Sequence, residues 1–518
     1  MSIARTRYDE IPYPDFIHLR TDPAHLAAIA QLHGVPSASP TSCRVLELGC
    51  GRGANLLSLA SLYPESEFLG VDLSASQIEA GEQRRQLAGL SNVNLRQHDI
   101  QGGLIDQEPF DFIIAHGVYS WVPKSVRDQL LTICRDALSP QGLAVISFNA
   151  YPGWHMKSIA RDILRDLASR PTGSADPTNA IEVARDHLAQ ISEIVPKQSA
   201  YGMVLREQVA LLAQSDLAYL HHEQFESVND PCLFSDFAKD LSKRQLQHVA
   251  DANVVSVEKT GLPKETRDEL SKLPSTVAEQ RLDFLINRTF RESIITHEST
   301  KLRRDVDLAE LETLELSSSI RLRWTTDDHD VEMRSETPVS FSTSSGLSGV
   351  LRSAVTKAAV HCLGRAWPES MSWTTLVEES AVSCGIGLQQ SDANLLLQRD
   401  CWKLVETGLV QVRRGPIPCR RHAGERPRAS RLARVIARDI IESCRNAIVP
   451  TQRHTGVNMD TSVASVLDLL TGERSVQDLE RDWTAARRDS DAAMPVEPMR
   501  HLTVELDRLA QAGFILPT

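Results

Sequence analysis

The sequence predicts an α/β protein with a parallel sheet covered by helices on both faces, and two observations support this. Short apolar strands alternate with helical patterns between residues 43 and 149: CRVLEL, EFLGVD, NVNLRQ, FDFIIA and LAVISF, with helical segments such as NLLSLASLYP and VRDQLLTICRDAL between them. A glycine-rich turn, GCGRG, follows the first of these strands at residues 49–53. The chain of 518 residues is too long for one hydrophobic core, so we expect several domains.

The first strand and its turn, VLELGCGRG at residues 45–53, predict a ligand site. Glycine lacks the Cβ atom that would block a close approach, so Gly49, Gly51 and Gly53 let the backbone contact a ligand. Asp72 ends the second strand roughly 20 residues later, where a carboxylate accepts hydrogen bonds from the ribose hydroxyls of an adenosine ligand. We expect Leu73 and Gln77, which follow it, to contact the same ligand.

Glu47 indicates which ligand this turn binds. A dinucleotide fold offers a helix N-terminus to a pyrophosphate, whereas a cofactor with an amino-acid tail and a sulfonium needs an acidic residue nearby. Glu47 stands before the first glycine, and the turn has the pattern G-C-G-x-G in place of G-x-G-x-x-G. We therefore expect S-adenosyl-L-methionine as the cofactor and S-adenosyl-L-homocysteine as its product.

Two later strand ends complete the predicted cofactor site. Asp99 and Ile100 follow the third strand, where the carboxylate is expected to meet the adenine amino group and the apolar side chain to pack on the ring. The fourth strand ends at Ala115 and His116, which we expect beside the methionine half of the cofactor. Open parallel sheets bind ligands at these carboxyl ends of their strands.

The segments AHGVYSW and FNAYPGWH follow the fourth and fifth strands and predict the acceptor site. We expect Tyr119 and Tyr151 to orient the acceptor and His116 or His155 to relay its proton, with Trp154 beside them. The same two segments supply a wider set of candidates, Trp121, Asn149 and His155. For each aromatic residue the alternative is that it packs the following helices against the sheet.

Several further segments resemble a bacterial family. YDEIPY, AHGVYSWVP, NAYPGWHMK, HHEQFESVNDP and FLINRTFR are similar to S-adenosylmethionine-dependent methyltransferases with a methyltransferase regulatory domain, a family that includes lysine methyltransferases of outer-membrane proteins. The resemblance covers the chain to about residue 300 and is weaker beyond it. It implies a Rossmann-like seven-stranded methyltransferase sheet, a helical cap insertion, a regulatory region at residues 222–297 and a mainly helical, winged-helix-like C-terminal region.

The N-terminal leader departs from this family and leaves the methyl acceptor open. Where the family commonly has Q-[ST]-H-P, this chain has Arg20, Thr21, Asp22 and Pro23, in a leader that we expect to fold over the cofactor. The resemblance implies in-line methyl transfer to a lysine of a protein or peptide. The alternatives are a small-molecule or natural-product N- or O-methyltransferase, and a regulatory binding protein without turnover.

We divide the chain into a cofactor-binding core (1–165), a helical cap (166–235), a regulatory region that completes the sheet (236–300) and a C-terminal region (301–518). In the third part, SDFAKDLSKRQLQHVADA predicts a helix, and NVVSVEK and RESIITH predict two late strands. In the fourth, LQRDCWKLVETGLVQV and LTVELDRLAQAGFILP are similar, with Gly408 corresponding to Gly513. A helix that ends at a glycine before a short strand predicts two winged-helix-like modules.

Composition excludes several other classes of protein. The net charge of −12 argues against nucleic-acid binding, and the basic run at 413–438 lacks interleaved aromatics, which favours a solvated linker or protein-docking face. The nine cysteines form no C-x-x-C pair, and the adjacent His221 and His222 have no further ligand spacing, so we expect no metal.

No run approaches the roughly 18 to 20 apolar residues of a membrane span. An acidic, proline-rich N-terminus in place of an apolar export signal predicts a cytoplasmic protein. A homodimer remains open.

Overall fold

A seven-stranded sheet forms the centre of the protein in the computed structural model, which describes residues 13–103, 106–168, 177–214, 217–254, 261–343, 346–385, 390–489 and 498–517. The strands are β1 Arg44–Leu48, β2 Glu67–Asp72, β3 Val93–Gln97, β4 Phe110–Ala115, β5 Leu138–Asn149, β6 Leu246–Asp251 and β7 Phe290–His297. Their order is β3-β2-β1-β4-β5-β7-β6, and β7 runs antiparallel to the other six strands. The predicted Rossmann-like seven-stranded sheet is confirmed.

Four helices pack on the parallel part of the sheet: α1 Pro23–Leu32, α2 Ala54–Leu62, α3 Ala75–Ala88 and α4 Lys124–Ala137. Asp22 caps α1 by accepting a hydrogen bond from the Ala24 N–H at 2.9 Å, and the proline in the first turn has a backbone angle suited to a helix start. One face of α4 is apolar and buries Leu130 and Cys134 completely. The strand-and-helix alternation predicted for this region is therefore present.

The late part of the sheet differs from the sequence prediction in its boundaries. The helix expected over 235–252 is shorter, because α9 spans Phe234–Ser242 and Gln245 adopts a left-handed φ of 56°. The following residues form β6, in which Leu246 pairs with His297 of β7. The helix prediction was wrong for the residues of β6, because they form backbone hydrogen bonds with β7 in place of those within a helix. Most of the strand predicted from NVVSVEK lies outside the described residues, whereas that from RESIITH is confirmed as β7.

A buried ion cluster ties the late strands to the helices beside them, α10 Lys264–Ser271 and α11 Ser275–Ile286. Arg291 of β7 is almost completely buried and donates to Asp283 Oδ1 at 2.7 Å and to Asp251 Oδ2 at 2.7 Å. Asp283 belongs to α11 and Asp251 ends β6. Arg291 also donates to Glu279 of α11 at 3.0 Å, and Arg288 pairs with Asp283 at 2.6 Å. The carboxylates therefore compensate the buried guanidinium and fix three elements around it.

Four helices form the predicted cap: α5 Trp154–Ala168, α6 Pro177–Ile194, α7 Ala200–Ala213 and α8 Leu217–Phe225. They share a hydrophobic core of their own, which includes Leu164, Leu188, Leu205 and Leu220. This core explains why the amphipathic helices of the insertion associate with one another.

The C-terminal region is mainly helical, as predicted. Its helices are α12 His329–Arg334, α13 Ala354–Ala366, α14 Trp373–Cys384, α15 Gln390–Glu406, α16 Arg431–Ser443, α17 Thr461–Leu469, α18 Val476–Asp489 and α19 Pro498–Gln511. Its short strands are β8 Glu315–Ser317, β9 Arg321–Arg323, β10 Val339–Ser342, β11 Ser348–Leu351, β12 Met371–Ser372, β13 Gln411–Arg413, β14 Ala447–Pro450 and β15 Gly456–Met459. After α15 and α19 the chain turns through Gly408 and Gly513, whose φ angles are 74° and 85°, into extended segments. The first segment therefore has the expected helix-glycine-strand pattern, whereas the second ends in an isolated β-bridge of Ile515 with Ala429.

The basic run at 413–438 is not a solvated linker throughout. Arg413 lies in β13 with a largely buried side chain paired to Asp22, and residues 431–438 belong to α16, which packs on α3 and α17. Amphipathicity explains the difference, since Leu432, Ile436 and the other apolar residues of α16 form one buried face. None of the helices in the described ranges has the length and apolar character that crossing a membrane requires.

Candidate active site

The glycine turn after β1 has a left-handed backbone. Gly49, Gly51 and Gly53 have φ angles of 74°, 54° and 70°, a region that other residues rarely adopt. The Gly49 N–H donates to the Val71 carbonyl at 2.8 Å and so fastens the turn to β2. Among the described atoms, a Cβ atom on Gly51 would meet only Gln77 Oε1 within 4 Å, at 3.2 Å. The turn therefore leaves space for a ligand beside Gly51.

Asp72 is fixed against this turn. Its Oδ2 accepts from the Gly51 N–H at 2.8 Å, and its Oδ1 accepts from the Ser74 N–H at 2.9 Å. An ionised carboxylate has about four lone-pair sites, so the same oxygens also suit ribose hydroxyls. Of the two residues predicted to assist it, Leu73 is exposed, whereas Gln77 is buried at the start of α3.

The other predicted cofactor residues lie at neighbouring strand ends. Asp99 is exposed and caps the short helical turn Ile100–Gly102 by accepting from the Gln101 N–H at 2.9 Å. Ile100 is half-buried, and Ala115 is fully buried at the end of β4. Because β3, β2, β1 and β4 are consecutive in the sheet, the structure brings these positions to one edge.

Glu47 is a buried carboxyl group with one unpartnered oxygen. It is 5% exposed, and its Oε1 accepts a hydrogen bond from Asn55 Nδ2 at 3.0 Å. Its Oε2 is buried without a hydrogen-bond partner among the described residues. Burial raises the pKa of Glu47 to about 8, although the Asn55 hydrogen bond opposes this. A cationic group placed beside Oε2 would supply both the missing donor and the missing charge, so the carboxyl fits the tail of the predicted cofactor.

A chain of buried hydrogen bonds continues from Glu47 into the C-terminal region. Asn55 Nδ2 also donates to Thr21 Oγ1 at 3.0 Å, and Thr21 Oγ1 lies 3.5 Å from His454 Nε2. On the other side of the same ring, His454 Nδ1 lies 2.9 Å from Ser58 Oγ. Burial lowers the pKa of His454 to about 4, so the imidazole is neutral near pH 7. Sequence reasoning missed these residues because no motif links such distant positions.

The leader reaches the end of β4 through two stacked histidines. The rings of His18 and His116 have centroids 3.7 Å apart and an interplanar angle of 27°. The His18 N–H donates to Asn55 Oδ1 at 3.0 Å, which ties the leader to the first turn of α2. Burial, with the nearby His116 and His454, holds the pKa of His18 well below its ordinary value. This placement agrees with the expectation that the leader covers the cofactor site.

The preceding part of the leader bridges the glycine turn and the cap. Asp15 pairs with Arg52 of the turn at 3.3 Å and with Arg84 of α3 at 2.8 Å. The ring of Phe16 packs edge-on against Tyr219 of α8, with centroids 6.0 Å apart. The leader thus has charged contacts on the sheet side and aromatic contacts on the cap side.

Glu292 of β7 is a site residue that sequence reasoning missed. Its Oε1 lies 3.3 Å from His116 Nε2, and its Oε2 accepts from Arg20 at 2.8 Å. Burial opposes ionisation, but the His116 hydrogen bond and the Arg20 charge hold the pKa of Glu292 below its usual range. The residue lies in an apolar strand pattern, RESIITH, which gave no signal of a polar role. An ionised carboxylate at this position orients the imidazole of His116.

The candidates after β5 have mixed environments. Tyr151 is half-buried and stacks on His155, with ring centroids 4.1 Å apart and an angle of 18°. Burial raises the pKa of the Tyr151 phenol, which keeps it neutral and able to donate a hydrogen bond. Asn149 is buried and donates to Asn229 Oδ1 at 3.1 Å. Tyr151 and the exposed His155 are therefore the candidates here that combine a polar group with access to solvent.

Tyr119 and Trp154 are almost completely buried. Tyr119 packs edge-on against Phe237 in the core, with ring centroids 5.4 Å apart, and burial raises the pKa of its phenol. This environment favours the alternative of a packing residue over acceptor orientation. Trp154 is 1% exposed and packs edge-on against Trp121, and its indole N–H has no hydrogen-bond partner among the described residues.

Within the described ranges, no group of three or more His, Cys, Asp or Glu side chains is arranged to hold a metal ion. The rings of His221 and His222 lie on α8 at an angle of 89° to each other.

Comparisons with known proteins agree with this geometry. Residues 45–142 match the model of a methyltransferase domain, and residues 216–297 match that of a predicted methyltransferase regulatory domain. The uncharacterized protein RP028 of Rickettsia prowazekii is 34% identical over 238 residues, which are 46% of this chain and 94% of that protein. RP789 of the same organism is 34% identical over 307 residues, which are 58% of this chain and 54% of that protein. The match therefore spans about half the length of RP789.

Solved structures include a similar fold over nearly the whole chain. PKMT2 from Rickettsia typhi in complex with AdoHcy has a TM-score of 0.86 and 24% identity, and the match covers 98% of this chain and 100% of that chain. A second structure of PKMT2 from Rickettsia typhi has a TM-score of 0.87 and 23% identity, with the same coverage. The cap and the C-terminal region therefore belong to a fold already known as a unit.

Proposed function

This chain belongs to the methyltransferase family that carries a methyltransferase regulatory domain, and from that premise we propose that it transfers the methyl group of S-adenosylmethionine to lysine side chains of a protein or peptide in the cytoplasm. The buried Glu47 carboxyl beside the glycine turn carries the proposal, because its unpartnered Oε2 calls for a cationic ligand group. Adenosine alone has no cationic group, so it would leave the charge of an ionised Glu47 uncompensated.

Each strand-end residue would contact a different part of the cofactor. Glu47 would hold the amino-acid tail, and the open side of Gly51 would let the cofactor come close to the backbone. Asp72 would accept from the ribose hydroxyls, and Asp99 and Ile100 would border the adenine. Each role follows from a position on one edge of the sheet.

The cofactor supplies an activated methyl group on its sulfonium, so the protein has to align a neutral amine and exclude water. A lysine amine has an ordinary pKa of roughly 10.4 and must lose a proton before it attacks. His116, oriented by Glu292 at 3.3 Å, is placed at the end of β4 to accept or relay that proton. The neutral phenol of Tyr151 is the candidate to orient the amine.

The acceptor class rests on resemblance and on the cap. The similar fold of a protein named PKMT2 supports a protein acceptor, and the leader, cap and C-terminal region provide surfaces beyond the cofactor core. The rival is a small-molecule acceptor, since trans-aconitate 2-methyltransferase of Methylobacterium nodulans is 30% identical over 186 residues, 36% of this chain and 65% of that enzyme.

Labelling separates the acceptors. The protein is incubated with cofactor carrying a tritiated methyl group, together with a cell extract that is divided into protein and small-molecule fractions. A second extract, in which lysines have been acetylated, tests the lysine amine directly. The Gly51→Val variant is the matched control, because its valine side chain would fill the space in which the cofactor approaches the turn.

We expect label in protein bands, loss of that label after acetylation, and no label with the variant. Label confined to small molecules would assign a metabolite acceptor, and protein label that resists acetylation would refute the lysine assignment. Calorimetric binding of the cofactor without product from either fraction would favour a binding protein without turnover.

A further inference from the structure

A cavity lies between the leader and the C-terminal region, and its lining includes none of the predicted cofactor or acceptor residues. It has a volume of about 150 Å³. Its walls come from the leader (Leu19 and Arg20), the segment after β6 (residues 252–254) and β13 with the residues before it. Arg20 and Gly408 are its more exposed lining residues, and they mark where it meets solvent.

The charges of this cavity do not balance. Three arginines line it, Arg20, Arg413 and Arg453, against a single carboxylate, Asp22. Asp22 already pairs with Arg413 at 3.4 Å, while Arg20 pairs with Glu292 outside the cavity. No carboxylate among the described residues therefore compensates the third guanidinium.

The third guanidinium belongs to Arg453, and hydrogen bonds fix it in the cavity wall. Its residue is 5% exposed, and it donates to the Pro368 carbonyl at 2.5 Å and to Ser317 Oγ at 3.0 Å. It also donates to Gln411 Oε1 and lies 3.9 Å from the centre of the Trp367 ring. These partners are neutral, and burial lowers the pKa of Arg453 to about 9, so its charge is poorly stabilised by the protein alone. An uncompensated cation fixed beside a cavity is suited to an anionic ligand.

The rest of the lining is mixed. Its apolar side chains come from Leu19, Val405, Val410, Val412 and Ile417, and its polar ones from His25, Asn253, Ser317 and Gln411. Ser317 and Gln411 accept hydrogen bonds from Arg453, and His25 Nε2 lies 2.7 Å from the Ala252 carbonyl. A cavity of about 150 Å³ has room for a molecule of the size of benzene. We propose that this cavity binds a small organic monocarboxylate, with the carboxylate beside Arg453 and an apolar body against the valines.

Such a ligand would contact the same leader that reaches the candidate active site. Leu19 and Arg20 line the cavity, while the preceding residue, His18, stacks on His116 at the end of β4. The cavity therefore adjoins the candidate active site through three consecutive leader residues and through the ion pair of Arg20 with Glu292. This proposal goes beyond the proposed function and does not depend on turnover.

Fluorine NMR tests the proposal directly with 4-fluorobenzoate as the probe and the full-length protein. The isosteric 4-fluorobenzamide lacks the negative charge and serves as the ligand control. Arg453→Met removes the cavity guanidinium, and Arg438→Met is the matched protein variant, because Arg438 is an exposed arginine paired with Asp468 outside the cavity. Leu19→Trp fills the cavity from the leader and keeps every arginine.

We expect saturable binding of 4-fluorobenzoate to the wild type and to Arg438→Met, and at least tenfold weaker binding to Arg453→Met and Leu19→Trp. The amide should bind at least tenfold more weakly than the acid. Absence of saturable binding to the wild type, or equal binding of acid and amide, would overturn the proposal. If Arg453→Met does not fold, as judged by circular dichroism, unchanged binding to Leu19→Trp would still refute the site.

Discussion

The protonation of Glu47 gives the sharpest prediction, because it links cofactor affinity to pH. In the cofactor-free protein, burial raises the pKa of Glu47 to about 8, so the side chain is mostly neutral at pH 7. The ammonium group of the cofactor's amino-acid tail, placed beside the carboxyl, favours the ionised form, so binding below pH 8 must release the proton. Affinity is therefore expected to increase as pH rises and to level off above about 8.

The size of the effect follows from the same pKa. Each pH unit below 8 costs about 1.4 kcal/mol of binding free energy, a factor of about ten in the dissociation constant. Between pH 8.5 and pH 6 the affinity should thus fall by roughly 100-fold. Glu47→Gln keeps the shape of the side chain but has no proton to release, so its weaker binding should be nearly independent of pH.

The stability of the cofactor-free protein should change in the opposite sense. When folding raises the pKa of a carboxyl, the folded protein loses stability as the pH rises between the two pKa values. For Glu47 these are about 4.5 in the unfolded state and about 8 in the folded state. At pH 9 Glu47→Gln should therefore be more stable than the wild type, by up to about 5 kcal/mol, while it binds cofactor more weakly. A single variant thus separates the contribution of Glu47 to binding from its cost to the fold.

Isothermal titration calorimetry with S-adenosylhomocysteine measures the affinity from pH 6 to pH 9. Repeating each titration in two buffers of different ionisation enthalpy counts the protons released, which should approach one per site below pH 7. Affinity that stays constant over this range, or a pH slope that persists in Glu47→Gln, would refute the assignment of Glu47 as the cofactor acid.

Four further substitutions test the site and its supports. Asp72→Ala should raise the dissociation constant for cofactor at least tenfold, and Gly51→Val should abolish measurable binding, because a side chain at φ 54° would be strained and would fill the approach; normal calorimetric affinity in both would overturn the site. His454→Phe should lower the free energy of unfolding by about 2 kcal/mol, since two buried hydroxyls lose their ring partner; an unchanged denaturant midpoint would contradict this. Arg291→Met should cost about 3 to 5 kcal/mol by leaving the Asp283 and Asp251 carboxylates with the single guanidinium of Arg288 between them; a thermal midpoint equal to that of the wild type would show that the cluster contributes little.

The sequence predicted the parts of the molecule whose signals are local. The first five strands and the glycine turn were confirmed because their apolar runs and the three glycines are determined by neighbouring residues. The late strands were harder, since β6 exists through its pairing with β7 and the residues from Leu246 to Asp251 have no pattern that excludes a helix. Pairing partners far along the chain decide such cases.

The candidate site was predictable only in part, for a similar reason. Glu47 and Asp72 adjoin the glycine turn in sequence, so a motif identifies them, and their cofactor roles remain predictions. Glu292 and His454 reach the site from other regions, and no spacing in the sequence marks them. Tyr119 shows the converse, because a loop after a strand does not reveal whether a side chain faces the cleft or the core.

The separation of β5 from β7 along the chain affects how the protein is made. The two strands are neighbours in the sheet, yet residues 150–289 lie between them. During synthesis the long edge of β5 therefore stays unpaired until the whole cap and α11 have left the ribosome. Unpaired apolar edges are prone to association with other chains, so a fragment that ends after the cap should aggregate. The cofactor core and the regulatory region are thus one folding unit, although an insertion divides them.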